Sequence, residues 1–160
     1  MKGNIKNSIK WGLFILSVVL VALYVSQNYY QFILIQGESM SPTYHNLQLA
    51  IVNRHCESYT YSDIIAFRCE TLNAVLVKRI AACPGDTLQI ENGTLYVNGI
   101  PSTFYMETYF EFAGIAESEL TLPDGQYFVI GDNVAESKDS RYEEIGCVGT
   151  QDILGSLLEF

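Results

Sequence analysis

Residues 11–25 (WGLFILSVVLVALYV) form one uncharged apolar run. After it, apolar positions come in short alternating or β-branched bursts instead of recurring at helical spacing. The fifteen residues of the run fall short of the roughly 20 that span a bilayer. Extension through residues 26–30 supplies the length, and Tyr24, Tyr29 and Tyr30 suit the aromatic belt at a membrane surface. A cleaved export signal has the same charged start and apolar stretch, but Tyr24-Val25-Ser26-Gln27-Asn28 offers no small-x-small cleavage site. The expected element is an uncleaved transmembrane helix. Lys2, Lys6 and Lys10 precede it and no acid does, so the positive-inside rule puts the N-terminus in the cytoplasm. The organisation expected is a cytoplasmic tail at 1–10, a membrane anchor at 11–30 and an extracytoplasmic domain at 31–160.

In that domain, residues 32–35, 47–52, 63–67, 74–80, 87–90, 94–97, 127–130 and 147–150 are rich in β-branched and aromatic side chains and predict strands. Asn92-Gly93 and Asn98-Gly99 predict hairpins, because a type I′ turn needs positive φ at both central positions. Pro84-Gly85-Asp86 and Pro123-Asp124-Gly125 mark two further turns. The fold class predicted is all-β, with short coiled antiparallel strands in a barrel or folded-over sheet. Residues 103–122 mix aromatics and acids without a period and read as an excursion. Its aromatics suit either ordinary packing or a membrane-facing lip.

Charge sharpens the picture. The chain of 160 residues carries −9, and its tail holds three of the nine basic groups and no acid. The remainder therefore sets six basic against eighteen acidic groups. Nucleic acid is excluded as a partner, since its binding depends on basic side chains displacing counterions. Cys56, Cys69, Cys83 and Cys147 lie in the exported part, where oxidising surroundings permit disulfides. Cys83 beside Ala81-Ala82 and Cys147 beside Val148 equally suit small buried apolar positions, and no pairing is assigned.

A serine hydroxyl is a weak nucleophile until a base takes its proton. Histidine is the usual base, but His45 and His55 stand in polar surroundings and read as surface residues. No HExxH or CxxC pattern surrounds them, and neither a metal nor another cofactor is implied. Lysine serves as a base only when neutral, the form that burial favours. In Val77-Lys78-Arg79-Ile80, an extended strand puts Leu76 and Ile80 on the face of Lys78, with Val77 and Arg79 on the other. The lysine then sits in an apolar stripe and the adjacent arginine does not. A strand-edge lysine that discourages edge pairing gives the same pattern. Gly37-Glu38-Ser39-Met40-Ser41-Pro42-Thr43 sets Ser39 in a turn, where Gly37 permits unusual backbone angles and Pro42 adds stiffness. Residues 131–141 (GDNVAESKDSR) are dense in hydrogen-bonding groups. Asp and Arg so close together suit either a buried pair or a solvated loop.

These segments, in this order, resemble type I signal peptidases, the membrane-anchored serine proteases that remove signal peptides from exported proteins. Ser39-Met40-x-Pro42-Thr43 matches the nucleophile box, and residues 63–67 resemble the internal strand box. Val77-Lys78-Arg79-Ile80 through Pro84-Gly85-Asp86 matches the lysine box. Gly131-Asp132-Asn133 with Ser137-x-Asp139-Ser140-Arg141 matches the last. The likeness runs from the anchor to about Gly155. It implies Ser39 as nucleophile, Lys78 as general base, Ser137 as the hydroxyl orienting the lysine, and Asp139 with Arg141 as a supporting pair. It also implies coiled antiparallel sheets, an acyl-enzyme, and the Ser39 backbone N–H as an oxyanion donor. Some branches place a serine hydroxyl donor where this chain, like other branches, has Gly37, so the second donor is unassigned. The partners implied are the lipid bilayer and exported preproteins with small-x-small sites. Ile33, Ile35, Met40 and Leu76 are placed to line the pockets for the small residues.

Two positions depart from the pattern: Val134 stands where the family often has arginine, and residues 142–145 (YEEI) lengthen the stretch before Gly146. Two other readings share the resemblance: a processing peptidase dedicated to a pilin or conjugation system, and a catalytically silent scaffold that binds such substrates. The presence of both Ser39 and Lys78 disfavours the silent one. A soluble self-cleaving repressor is disfavoured by the anchor and the acidic domain.

Overall fold

A computed structural model of the chain describes residues 2–158, the side chains of residues 2–6 and of Gln27 excepted. The charges of Lys2 and Lys6, on which the orientation of the anchor partly rests, lie outside that description. Helix α1 runs Lys2–Tyr29 and takes in the lysine-bearing tail as well as the apolar run. Within it, Asn7–Ser26 is the one stretch among the described residues long and apolar enough to cross a membrane. Twenty residues rise about 30 Å, the thickness of the hydrocarbon layer. None of that stretch is buried against the rest of the chain.

Beyond α1 the described chain is strands, turns and two short 3₁₀ turns, and every strand pairing is antiparallel. The strands are β1 (Tyr30–Leu34), β2 (Leu49–Asn53), β3 (Ile64–Cys69), β4 (Ala74–Ala82), β5 (Thr87–Glu91), β6 (Thr94–Val97), β7 (Ile100–Pro101), β8 (Leu120–Thr121), β9 (Gln126–Ile130), β10 (Val148–Gly149) and β11 (Ile153–Leu157). A seven-stranded sheet has the order β1-β2-β11-β3-β4-β9-β10, and a four-stranded sheet the order β7-β6-β5-β8. The all-β fold with one N-terminal apolar helix is the one expected. Both Asn-Gly pairs turn with positive φ, Asn92 at 51° and Gly93 at 77°, Asn98 at 53° and Gly99 at 75°. They close the β5–β6 and β6–β7 hairpins.

Three strands are absent from the sequence reading. Two are the short β7 and β8. The third, β11, contains Gly155 and Ser156 and lacks a strong β signal of its own. It is held by neighbours on both sides, β2 and β3, with a register shift between Ile153 and Gly155. A Cβ at Gly155 would come within 2.1 Å of the Asn53 carbonyl, so the strand there must be glycine. The strand expected at 47–52 starts at Leu49, because Leu47 turns with φ 63°.

Period-two alternation sorts β3 and β9 into separate cores. Ile64 and Ala66 join Ile35, Met40, Tyr44, Ala50, Val52 and Leu157. Ile65, Phe67 and Cys69 join Ile80, Tyr127, Val129 and Val148 on the other side. Phe128 and Ile130 face the small sheet, packing with Leu88, Ile90, Leu95, Tyr105, Phe110, Ala116 and Leu122. Strands β3 and β9 are thus covered on both faces. Each large apolar side chain so buried contributes about 1.5–3 kcal/mol. The excursion divides accordingly: Tyr105, Phe110, Ala116 and Leu122 are core, while Phe104, Met106, Tyr109 and Phe112 are exposed. All four thiols are free, and the buried one is Cys69; Cys83 and Cys147 are only half-buried.

Gly155→Ala is expected to cost about 1–3 kcal/mol through backbone overlap with β2. The check is urea denaturation of the full chain in detergent. An unchanged midpoint would contradict the close approach of β2 and β11.

Candidate active site

The turn between β1 and β2 carries Ser39. Gly37 enters it at φ 88° and donates its N–H to Asn46 Oδ1 at 2.9 Å. Ser41 N–H donates to the Glu38 carbonyl and Tyr44 N–H to the Met40 carbonyl, which curls the segment on itself. Met40 is 1% exposed, so the residue after Ser39 is pinned in the core beneath the turn. Ser39 itself is half-buried. Its carbonyl accepts the Asn133 N–H at 3.0 Å, tying the turn to the segment after β9. Among the described residues, the Ser39 N–H is engaged in no hydrogen bond.

Strand β4 supplies Lys78, paired across the ladder with Ile65. The side chain is almost fully buried, and 2.6 Å separates its Nζ from Ser39 Oγ. Protonated, the amine donates to the hydroxyl; neutral, it can accept the hydroxyl proton. Burial lowers the Lys78 pKa from 10.5 to about 8; Asp139 and Asp132 pull it back up, and Arg141 pushes it down.

Arg79 is also buried, although alternation places it outside the apolar stripe. Alternation assigns a face to a side chain but does not say whether that face is covered. Here it is covered by the segment after β9 and by the excursion. Arg79 Nε and Nη2 grip the two oxygens of Asp132 at 2.8 and 2.7 Å, and Nη1 donates to the Ser62 carbonyl at 2.7 Å. Asp132 Oδ2 also accepts the hydroxyl of Thr43, in the Ser39 turn. This second pair was missing from the sequence-based list of supporting residues. Its signal was present: an arginine beside the lysine and the aspartate of Gly131-Asp132-Asn133.

Asp139 and Arg141 do pair, at 2.8 Å between Oδ1 and Nε and 2.9 Å between Oδ2 and Nη2, with both side chains buried. Asp139 further accepts the Gly131 N–H at 3.1 Å, and Arg141 donates to the carbonyls of Val134 and Ser137. The 131–141 loop is thereby closed on itself. Ser137 is buried, but its Oγ has no hydrogen-bond partner among the described residues. The bond expected from Ser137 to Lys78 is therefore not formed; the short bond of the amine goes to Ser39. A Cβ on Gly131 would lie 2.3 Å from Ser137 Oγ and 2.4 Å from the Ser39 carbonyl oxygen. Glycine at 131 is what lets these two segments meet.

A groove of about 320 Å³ leads to the pair. One wall is residues 33–36, the other residues 74–78, with Ser39 and Met40 between. Ile33, Ile35, Met40 and Leu76 all line it. Strand β9 pairs with β4 only from Arg79 onward, so residues 74–78 leave one edge unpaired, and β1 is the edge strand of its sheet. His45 and His55 are exposed and line no part of the groove; His55 stacks on Tyr29 with ring centres 4.4 Å apart. Among the described residues, no group of three or more His, Cys, Asp or Glu is placed to hold a metal.

Known proteins resemble this chain in sequence and in fold. Residues 8–159 match the family model described as signal peptidase, peptidase S26. The chain is 31% identical to signal peptidase I T of Bacillus subtilis (strain 168), covering 97% of this chain and 86% of that one. It is 33% identical to a signal peptidase I of Bacillus amyloliquefaciens, over 82% of this chain and 76% of the relative. The crystal structure of a signal peptidase I from Enterococcus faecalis V583 superposes with a TM-score of 0.51 at 31% identity, covering 64% of this chain and 98% of that one.

Burial of Lys78 carries a stability signature. Its folded pKa, about 8, lies below the unfolded value, so between the two the unfolded chain holds more protons. Stability rises with pH across that window, and the penalty is full below the folded value. Lys78→Met should therefore be more stable than the parent at pH 7, by up to about 3 kcal/mol. The gain should vanish by about pH 11. Melting curves at the two pH values test this; a variant less stable at pH 7 would contradict a strained ammonium.

Proposed function

The chain belongs to the signal peptidase family, peptidase S26, and is a serine endopeptidase; from that premise we propose that Ser39 and Lys78 are its catalytic dyad. The observation that carries this reading is the 2.6 Å separation of Lys78 Nζ and Ser39 Oγ at the end of a groove, with the amine buried. A pKa of about 8 leaves a working fraction of the amine neutral near physiological pH, where a general base is effective.

The substrate is an exported preprotein, and its segment before the cut enters the groove as an extended strand. The unpaired edges of β1 and of residues 74–78 can bond its main chain. Ile33, Ile35, Met40 and Leu76 favour small side chains at the first and third positions before the cut. Neutral Lys78 takes the Ser39 proton as Oγ attacks the scissile carbonyl. The ammonium then protonates the departing amine, leaving an acyl-enzyme. Water attacks that ester, again losing its proton to Lys78, and Ser39 is regenerated. The Ser39 N–H donates to the tetrahedral oxyanion. Asp139 and Arg141, together with Arg79 and Asp132, hold the two reacting groups in register, and the buried Ser137 hydroxyl is the group reserved for orienting the lysine once substrate is bound.

Residues 11–30, which take in α1 from Trp11 to its end at Tyr29, anchor the enzyme, residues 1–10 lie in the cytoplasm, and residues 31–160 work on the outer face. Confinement of enzyme and membrane-tethered substrate to one surface raises their effective concentration.

Ser39→Ala should abolish cleavage of a preprotein with a small-x-small site, and Lys78→Met should slow it by roughly 10²–10⁴-fold. The parent rate should climb about tenfold per pH unit and level off above about 8. A flat rate from pH 6 to 10, or full activity in either variant, would sink the dyad.

A further inference from the structure

Phe104 touches the core only edge-on, through the Tyr105 ring 4.9 Å away between centres. It is 42% exposed, belongs to none of the three buried clusters and does not line the groove. Its neighbours in the excursion, Tyr105 and Phe110, carry the packing. One face of the Phe104 ring is occupied, with the Arg79 guanidinium carbon 4.1 Å from its centre.

That contact is built rather than incidental. The Phe104 N–H donates to Tyr61 Oη at 3.1 Å, and Tyr61 Oη lies 2.9 Å from Ser102 Oγ. The next residue along, Ser62, accepts from Arg79 Nη1. The Tyr61-Ser62 dipeptide thus fixes both partners of the stack. Arg79 in turn grips Asp132, which accepts from Thr43 in the Ser39 turn. The adjacent Asn133 N–H holds the Ser39 carbonyl. A chain of direct contacts runs from the Phe104 ring to the nucleophile.

Removing the ring opens the guanidinium to water. Stacking on an aromatic face is favourable for a cation, more so when water is kept away, and a buried ion pair weakens once solvated. We propose that Phe104 is a positioning residue, which by covering Arg79 keeps the Arg79–Asp132 pair dry and holds the Ser39 turn against Lys78. The proposal rests on the dyad reading above. Because Phe104 touches no wall of the groove, its effect falls on turnover and not on substrate binding.

The test is steady-state cleavage of a small-x-small preprotein by the full chain in detergent, with rates normalised to folded enzyme by circular dichroism. Phe104→Leu keeps apolar bulk and removes the ring face. It is expected to lower kcat about fivefold at unchanged KM. Phe104→Trp restores a ring face and should return kcat to within about twofold of the parent. A Phe104→Leu enzyme with parental kcat, a change confined to KM, or a Phe104→Trp enzyme as slow as Phe104→Leu would each overturn the proposal. Ser39→Ala, run alongside, separates the two readings. Activity there sinks the dyad, whereas an inactive Ser39→Ala beside an unimpaired Phe104→Leu sinks only the role of Phe104.

Discussion

The architecture around the groove depends on keeping one amine dry while holding it at bonding distance from a hydroxyl. An ammonium group loses much of its hydration when buried, so Lys78 can stay in place at neutral pH only at a cost in stability. A carboxylate facing the amine would remove that cost and, with it, the neutral form needed at working pH. Two aspartates do lie near enough to raise its pKa, Asp139 and Asp132. Each is gripped by two nitrogens of its own arginine, Arg141 and Arg79, so neither acts as a full counter-ion for the lysine. Pairing the acids elsewhere is what leaves desolvation in control.

The same two ion pairs do the mechanical work. Arg79–Asp132 links β4 to the Ser39 turn through Thr43, and Asp139–Arg141 closes the loop that follows β9. These segments are far apart in sequence, and the antiparallel order β3-β4-β9 is what brings them together. Gly131 permits the final approach, since a methyl group there would overlap both Ser137 Oγ and the Ser39 carbonyl. Met40 fastens the turn from below. A nucleophile on a turn thereby gains the fixed geometry of the sheet.

Local chemistry was the part legible in the sequence. Asn-Gly hairpins, β-branched runs and the uncharged helix follow from backbone preference and side-chain hydration alone. Ser39, Lys78 and the Asp139–Arg141 proximity were picked out from short motifs, and the fold brings the first two within 2.6 Å. What depends on distant chain was not legible. Strand β11 is held by β2 and β3, not by its own residues. The burial of Arg79 depends on cover from segments near 104 and 132, which no alternation pattern within β4 encodes. The 103–122 stretch has no period because its aromatics answer to separate partners: the core for Tyr105 and Phe110, a guanidinium for Phe104. The burial of the Ser137 hydroxyl near the Ser39 carbonyl, without a bond to the lysine, is likewise a matter of packing that no motif encodes.

The central claim concerns the protonation state of one nitrogen, and it can be read directly. Isotope labelling of lysine followed by an NMR pH titration of the full chain in micelles, with Lys78→Met to assign the signal, gives the pKa of Lys78 in place. The account predicts a midpoint near 8. A midpoint close to the ordinary lysine value, about 10.4, would mean that the amine is charged throughout the working range, and Lys78 could not be the base.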